Sequence, residues 1–156
     1  MNRIAILDNT VLSNFALVKR PDLVNSFWPG LACTTPTALG EYLSASDKIA
    51  FPVEYWSELP VLELSEQEEQ LARQFSARLG AGERSCIAVA ILRQGLFVSD
   101  DLDARRIARD RNVLLSGTLG ILIGCVQRNL LTMAQANRLL GIMIAAGYRS
   151  PVSELK

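Results

Sequence analysis

The sequence predicts an α/β fold: a single domain in which a central, mainly parallel sheet lies between two layers of helices, as a three-layer α/β/α sandwich. The 156 residues are enough for one compact domain and a tight fit for two. Short apolar segments alternate with helical patterns along the chain, which is typical of repeated β-α units. These segments are apolar throughout, as strands buried on both faces are. We expect the domain to span residues 1–150, with a short C-terminal tail at 151–156.

Five short apolar segments are predicted as strands: Arg3 to Leu7, Leu31 to Thr35, Val61 to Leu64, Leu96 to Ser99, and Val113 to Leu115. The predicted helices run from Val11 to Val18, from Pro36 through Leu43, from Ser65 through Leu79, from Glu83 to Arg93, from Asp100 to Asp110, from Gly117 onward, and from Met133 to Ala145. Pro36 suits the first turn of its helix, and Ser65 with Glu68 forms a capping box. The segment from Ser46 to Pro60 contains prolines and three large aromatic residues and predicts a loop.

The composition predicts a folded protein and gives no sign of a polyanionic or membrane partner. Hydrophobic residues make up 49% of the chain and charged residues 21%, so the chain is not of the disordered type. Acidic and basic side chains balance at 16 each, and the net charge therefore points to neither nucleic acid nor a membrane. Cys33, Cys86 and Cys125 are isolated, which argues against a disulfide framework or a zinc site. With no secretory leader pattern and no apolar run of about 18 residues, we expect a soluble, cytoplasmic protein without a membrane partner.

The sequence contains no histidine. This excludes acid-base catalysis by histidine, a Ser-His-Asp triad and zinc hydrolases with histidine ligands. If the protein is an enzyme, its chemistry depends on carboxylates.

Acidic residues stand where predicted strands end. Asp8 follows the first strand, and Asp100 and Asp101 follow the strand that begins at Leu96. In open parallel sheets, ligands bind at the carboxyl ends of the strands. A structural alternative remains open, because Asp is a favoured N-cap residue: Asp8 equally suits the start of the next helix, and the later pair also marks a helix start.

Two further acids lie in helices that follow such strand ends. Glu83 opens an apolar helix, where the helix dipole alone favours a negative charge, whereas Glu41 lies between two leucines and is harder to explain structurally. Four acids at successive β-α junctions would converge at one edge of the sheet and raise one another's pKa, so the cluster makes sense mainly around a divalent cation. Oxygen ligation without His or Cys indicates Mg²⁺ or Mn²⁺.

Four segments resemble, in order and spacing, the motifs of PIN-domain nucleases, many of which are VapC-like toxins: ILDNTVL, ALGEYL, GERSCIAVAI and FVSDDLDARRIA. The segments GTLGILIGCVQRNLLT and AAGYRSPVSEL resemble the carboxyl-terminal part of one PIN subfamily. The resemblance implies a metal-dependent ribonuclease whose Mg²⁺ or Mn²⁺ is held by an acidic quartet: Asp8, Glu41, Glu83 and Asp101. The family's motif of Thr or Ser, Asn or Asp, then Asp reads Ser99-Asp100-Asp101 here, which favours Asp101 over Asp100 as the ligand. PIN sequences often carry Thr where this chain has Asn9.

The side chains around this quartet have expected roles. Four polar neighbours are expected to hydrogen-bond the carboxylates and orient them: Asn9, Thr10, Ser99 and Asp100. Arg105, Arg109 and Thr118 are candidate contacts to substrate phosphate. As the alternative, the arginines form a solvated helix face paired with Asp103 and Asp110, and Thr118 only begins a helix.

Three other functions compete with a metal-dependent nuclease. A phosphatase of the haloacid dehalogenase type needs a second Asp two residues after the first, where this chain has Thr10. A phospho-receiver domain needs a lysine after its last strand, and the segment from Val113 to Gly117 has none. A catalytically inert PIN fold that binds RNA or protein stays open as the main alternative.

The expected partners are RNA, an antitoxin protein and a second copy of the chain. VapC-like relatives commonly form dimers and are silenced by an antitoxin segment lying over the acidic groove, so the resemblance implies both. The apolar helices from Leu119 to Val126 and from Leu139 to Ala146 are explained by core burial or by a homodimer interface. We expect a homodimer.

Overall fold

Four parallel strands form the centre of the fold in a computed structural model of the chain, which describes residues 2–45 and 52–156. The strands are β1 (Ala5–Leu7), β2 (Ala32–Cys33), β3 (Leu96–Val98) and β4 (Leu114–Ser116). The helices are α1 (Asn9–Leu17), α2 (Asp22–Phe27), α3 (Pro36–Ala45), α4 (Glu66–Gln74), α5 (Ala81–Leu92), α6 (Leu102–Asp110), α7 (Thr118–Gln127) and α8 (Met133–Ala145), with a 3₁₀ turn at Val53–Trp56.

The strand order is β2-β1-β3-β4, and every neighbouring pair is parallel. The register sets Ala5 beside both Ala32 and Leu96, and Leu7 beside Val98. The predicted parallel sheet is therefore confirmed. Since β1 and β3 are central neighbours, whatever follows Leu7 and Val98 lies together at one edge of the sheet.

Hydrophobic cores cover both faces of the sheet. Ala5 and Leu7 face the core formed with α1, α2, α7 and α8, whereas Ile6 between them faces the core formed with α5 and α6. In β3, Val98 joins the first core and Phe97 the second. All five side chains are fully buried. This two-sided burial explains why the strands are apolar throughout and confirms the three-layer α/β/α architecture.

Two predicted elements are shorter than expected. The strand predicted from Val61 to Leu64 is reduced to one isolated bridge between Val61 and Thr34, because Pro60 has no N–H to donate and the chain soon turns into the Ser65 cap. The helix that begins after Ser65 has the predicted capping box, but it ends at Gln74. Phe75 is already extended, and Leu79 therefore lies outside the helix.

One helix and part of one loop differ from the sequence-based expectation. The helix at Asp22–Phe27 was not predicted; it follows Pro21, and a proline just before an acidic residue is a usual helix-start signal. In the predicted loop from Ser46 to Pro60, residues 46–51 lie outside the described residues, and the rest contains the 3₁₀ turn.

The C-terminal tail packs against α8. Asn137 of α8 donates its side-chain amide to the Leu155 carbonyl at 3.1 Å, and Leu155 donates its N–H to the Asn137 side-chain oxygen at 2.6 Å. The Leu155 side chain is buried in the core below α7 and α8. Within residues 2–45 and 52–156, no helix is long and apolar enough to cross a membrane.

Core burial accounts for most of the apolar surface of α7 and α8. Leu122 of α7 and Leu140 of α8 are fully buried in the core on their side of the sheet. On their outer faces, Ile123 and Ile142 are 42% and 41% exposed. These exposed side chains are compatible with a homodimer interface but do not test it, so the homodimer stays a prediction.

Candidate active site

The carboxyl ends of β1 and β3 place acids of distant sequence motifs side by side. Asp8 directly follows β1, and Ser99 directly follows β3, whose last residue, Val98, is the register partner of Leu7. Asp101 then caps the next helix. The acidic residues predicted at strand ends therefore lie at the one edge where an α/β sheet binds ligands.

Asp8 is fully buried and surrounded by hydrogen-bond donors. Its Oδ1 accepts from the Thr10 N–H at 3.0 Å and from the Thr10 hydroxyl at 2.5 Å, and its Oδ2 accepts from the Ser99 hydroxyl at 2.5 Å. The first contact makes Asp8 the N-cap of α1. An ionised carboxylate has about four lone-pair sites, so Oδ2 keeps capacity for one more partner. Capping a helix and binding a further group are therefore compatible roles for Asp8.

The hydroxyls of Thr10 and Ser99 tie β1 to the segment after β3. The Thr10 hydroxyl accepts from the Asp100 N–H at 3.0 Å, and the Ser99 hydroxyl accepts from the Asp101 N–H at 3.1 Å. Each hydroxyl thus donates to Asp8 and accepts from one of the two later aspartates. This pair of bridges holds the Asp8 carboxylate against the backbone of Asp100 and Asp101.

Burial raises the pKa of Asp8 to about 7. Removal from water disfavours the charged form, and the nearby Asp100 raises the pKa further, whereas the bonds from Ser99 and Thr10 lower it only in part. Asp8 therefore exchanges its proton near neutral pH, as a carboxyl in a dry and acidic site does.

Glu41 is held by contacts from two other segments. Asn9, the first residue of α1, donates its side-chain amide to Glu41 Oε2 at 2.7 Å, and the Gly82 N–H donates to Oε1 at 2.5 Å. A Cβ on Gly82 would lie 2.9 Å from Ala38 Cα, so α3 and α5 approach this closely only because residue 82 is glycine. The isolated acid of ALGEYL is therefore bound to the start of α5.

Glu83 connects the four acids electrostatically. Its pKa is raised to about 7, first by burial and then by the charges of Asp101, Asp8 and Glu41. Next to it, a Cβ on Gly80 would lie 3.2 Å from Glu83 Oε1 and 3.4 Å from Glu41 Oε1, so these two carboxylates approach one point. Asp8, Glu41 and Asp101 are therefore near enough for their charges to act on Glu83, and the carboxylates of Glu41 and Glu83 are the pair that lies beside one point, at Gly80.

Asp100 and Asp101 point to different neighbours. Asp100 accepts at Oδ1 from the Thr118 N–H at 2.8 Å, and at Oδ2 from the Thr118 hydroxyl at 2.5 Å and the Asn14 amide at 3.0 Å. Asp101 accepts from the Ala104 N–H at 2.8 Å. The charge of Asp101 contributes to the raised pKa of Glu83, whereas the charge of Asp100 contributes to the raised pKa of Asp8, so the choice of Asp101 over Asp100 as the fourth acid stays a prediction.

The candidate phosphate contacts are arranged differently from one another. Arg105 donates from one guanidinium nitrogen to the carbonyls of Ser99 and Ser116, both at 2.7 Å, and so joins the ends of β3 and β4. The N–H and hydroxyl of Thr118 are bound to Asp100, which leaves Thr118 as a support for that carboxylate. Arg109 is exposed in the last turn of α6.

The carboxylates of the quartet are suitable ligands for a divalent cation, but their side chains are not arranged to coordinate one. The quartet supplies carboxylate oxygens only, which are the ligands of Mg²⁺ and Mn²⁺. Across residues 2–45 and 52–156, however, no three acidic or cysteine side chains form a group that could hold a metal ion as they stand. Asp8, Glu41 and Asp101 are each hydrogen-bonded to different backbone or side-chain donors.

Two contributors to the site were not predicted from the sequence. Asn14 donates to both Asp100 and Thr118, and the Gly82 N–H holds Glu41. A signal for Asn14 exists, because it lies four residues after Thr10 and therefore on the same face of α1. For Gly82 the only signal is its position in the first turn of α5, where helix N–H groups have no partner within the helix.

Comparison with known proteins gives one match. A family model described as a PIN domain, DUF3368, matches residues 4–156. No curated protein and no solved structure matches the chain. PIN domains are generally nucleases, and the match does not reach the finer VapC-like group. Because the match covers nearly the whole chain and agrees with its parallel sheet, the chain belongs to the PIN-domain family DUF3368.

Proposed function

We propose that this PIN domain is a metal-dependent endoribonuclease that hydrolyses RNA phosphodiester bonds at the acidic quartet. The single observation that carries the proposal is the raised pKa of Glu83, about 7, to which Asp101, Asp8 and Glu41 all contribute. A fold gains nothing from gathering four carboxylates whose charges oppose one another. Such an arrangement is expected where a site is built for function.

The chain's own residues would orient the reacting groups. Asp8, Glu83 and Asp101 would hold Mg²⁺ or Mn²⁺, with Glu41 as a further ligand or as the acid that positions Glu83. The short bonds from Thr10 and Ser99 keep the Asp8 carboxylate in one orientation, which favours a defined ligand geometry. Buried surroundings strengthen every charge interaction at this edge of the sheet.

A divalent cation bound there would supply an activated water and stabilise the charge on the leaving 3′-oxygen. Glu83, with its pKa near 7, can accept a proton at its carboxylate close to neutral pH. Substrate phosphates need a nearby positive charge. Of the candidate phosphate contacts Arg105, Arg109 and Thr118, Arg109 on α6 is the one whose side chain is exposed.

The test is cleavage of labelled single-stranded RNA with Mg²⁺, with Mn²⁺ and with EDTA. We expect cleavage with either metal and none with EDTA, and we expect Asp8→Asn and Glu83→Gln each to lower the rate by about 100-fold or more. Asp103→Asn is the matched control, because this acid lies two residues after Asp101 but is exposed and paired with Arg106. Equal cleavage by the wild type and Asp8→Asn would disprove the proposed site.

The competing function is an inert PIN fold that binds RNA or protein. The observation that favours it is that, among the described residues, no three acidic or cysteine side chains form a group that could hold a metal ion. Isothermal titration with Mn²⁺ distinguishes the two: the nuclease binds the metal and loses that binding in Asp8→Asn, whereas the inert module shows neither binding nor cleavage.

We extend the proposal to a toxin-like role with an antitoxin partner, supported only by the resemblance of the motifs to VapC-like proteins. Induction of the wild type should slow growth of the host, Asp8→Asn should not, and a neighbouring small open reading frame should relieve the effect. We also propose a homodimer through the outer faces of α7 and α8, where Ile123 and Ile142 are exposed. Light scattering measures the molar mass, and so the oligomeric state, of the wild type and of Ile142→Glu. A monomeric wild type would contradict the dimer.

A further inference from the structure

A cavity of about 230 Å³ lies beside the acidic quartet. Its walls come from the start of α6, the start of α7 and the C-terminal segment after α8. Asp100 lines it and precedes Asp101, and the Asp100 N–H is bound to the Thr10 hydroxyl that contacts Asp8. The cavity therefore begins one residue before Asp101, one of the acids that would hold the metal ion at the reacting phosphate.

Most of the cavity wall is apolar, from four side chains: Leu102, Leu119, Tyr148 and Pro151. Leu102 is 82% exposed, although it immediately follows Asp101 at a site where packing does not require a leucine. Tyr148 is half-buried, and burial beside Asp100 raises the pKa of its phenol, so the ring is neutral at physiological pH. Flat apolar and aromatic walls are what an unstacked base contacts in single-stranded RNA.

The charged groups at the cavity are placed for a base inside and a phosphate outside. Asp100 lines the cavity and would repel a phosphate placed within it. Arg149 is exposed at the rim, and Arg105 borders the cavity with its guanidinium bound to the strand ends. Positive charge at the rim attracts the backbone of a polyanion, although the chain as a whole is neutral.

The size of the cavity agrees with a small flat group. At about 230 Å³ it is smaller than the pockets of about 300–1,000 Å³ that enclose drug-sized molecules. A single base fits such a volume, and its ribose and phosphate would lie outside, toward the arginine at the rim and the acidic quartet.

We propose that this cavity, which we call the side cavity, binds one base of the RNA strand next to the phosphate at the acidic quartet. The inference rests on the proposed nuclease function and names a further part of its substrate site. The base would lie between Leu102 and Tyr148, with the neighbouring backbone against Arg149. A base held there would set the register of the strand relative to Asp101 and so contribute to the choice of the cleaved bond.

The first test maps binding on isotope-labelled full-length protein by two-dimensional NMR, in EDTA so that nothing is cleaved. The probes are 5′-AMP, ribose 5-phosphate, which lacks the base, and a leucine tripeptide amide. We expect 5′-AMP to shift the amide signals of Gly117 and Gly120, and ribose 5-phosphate to leave these two signals in place, whereas both phosphates can shift Arg149 at the rim. Equal shifts of the two glycine signals with both phosphates would overturn a base site, and so would shifts of these two signals with the tripeptide alone.

The second test uses paired variants in the same titration. Leu102→Ala should weaken 5′-AMP binding by about 5-fold, the lower end of the effect of losing a base contact, and Arg149→Ala should also weaken it, because the phosphate loses a positive charge at the rim. Both residues are exposed, so neither variant should disturb folding. Leu114→Ala and Arg138→Ala are the matched controls, since both side chains are exposed and neither lines the side cavity.

The outcomes separate this inference from the proposed nuclease function. Equal affinities across all four variants would overturn the side cavity as a base site, even if the protein cuts RNA. Conversely, base-dependent shifts that disappear in Leu102→Ala would support it, even if Asp8→Asn and the wild type cleave equally. The titration needs no metal and no turnover, and it therefore does not share its readout with the cleavage assay.

Discussion

Asp8 should weaken the fold at the pH where the site works. Its carboxyl has an ordinary pKa of 3.8 and a folded-state pKa of about 7, because burial disfavours the charged form. We therefore expect Asp8→Asn, which removes the buried charge and keeps the shape, to be more stable than the wild type at pH 8 in EDTA. If Asp8 acts in the proposed active site, this loss of stability is the cost of that function.

The sign follows from proton binding. Between pH 3.8 and about 7, the folded state keeps the Asp8 proton that the unfolded state has lost, so the wild type loses stability as the pH rises through this range. A shift of about three pKa units at about 1.4 kcal/mol each corresponds to about 4 kcal/mol at pH 8. Asparagine keeps the Thr10 contacts to its oxygen but must turn its amide toward Ser99, which costs about 1 kcal/mol. The net gain expected at pH 8 is about 3 kcal/mol.

Urea unfolding at pH 4, 6 and 8 measures the effect, with both proteins in EDTA. The gain in Asp8→Asn should be largest at pH 8 and disappear near pH 4, where Asp8 is protonated in the folded wild type. Asp103→Asn is the control; its exposed, paired acid should change stability by less than about 1 kcal/mol at every pH. Parallel stability curves for the wild type and Asp8→Asn would refute the reasoning, because the buried carboxyl would then titrate normally.

Two further predictions concern contacts around the site. Gly82→Ala should lower the unfolding free energy by about 1–3 kcal/mol, since its Cβ would lie 2.9 Å from the α3 backbone; Gly40→Ala, whose Cβ meets nothing within 4 Å, should raise it by about 0.5–1 kcal/mol. Thermal melts compare the two variants, and a Gly82→Ala variant as stable as the wild type would contradict the close packing of α3 and α5. Glu68→Gln should cost about 1–2 kcal/mol at pH 7, because Arg93 loses its charged partner, with the exposed Glu69→Gln as control. Arg93 lowers the pKa of Glu68, so this stabilisation is present above pH 4.5 and is lost as the pH falls through the lower folded-state pKa; a difference that persists unchanged in strong acid would argue against the ion pair.

Local sequence signals predicted most of the fold because they arise from burial and capping. The segments around Ile6 and Phe97 are apolar throughout because helices cover both faces of the sheet. The Ser65 capping box was predicted and is present, since both of its bonds join residues three apart. The strand expected at Val61 is only a single bridge to Thr34, because Pro60 before it and the Ser65 cap after it limit its pairing.

The acidic residues of the candidate site were likewise predicted only in part. Asp8 and the pair Asp100 and Asp101 were recognisable because they follow predicted strands, and Glu41 and Glu83 because they lie in the helices after such strand ends. The resemblance then favoured Asp101 over Asp100. The sequence did not show that the two adjacent aspartates have different hydrogen-bond partners. Asp100 accepts from the side-chain amide of Asn14, a residue that the sequence analysis did not identify. Adjacent acids look alike in sequence, and only their backbone directions separate them.

The sequence by itself predicted the architecture, which the structure confirms, and limited the chemistry that we propose. The lack of histidine left carboxylates as the chemistry-bearing groups, and the apolar strands required a parallel sheet covered on both faces. The tertiary structure decided which side chains meet: Asn9 and Gly82 at Glu41, and Tyr148 in a cavity beside Asp100. The physical reason is that residue periodicity reports only whether a side chain faces the core. Contacts between distant segments depend on strand order, which here sets β1 between β2 and β3.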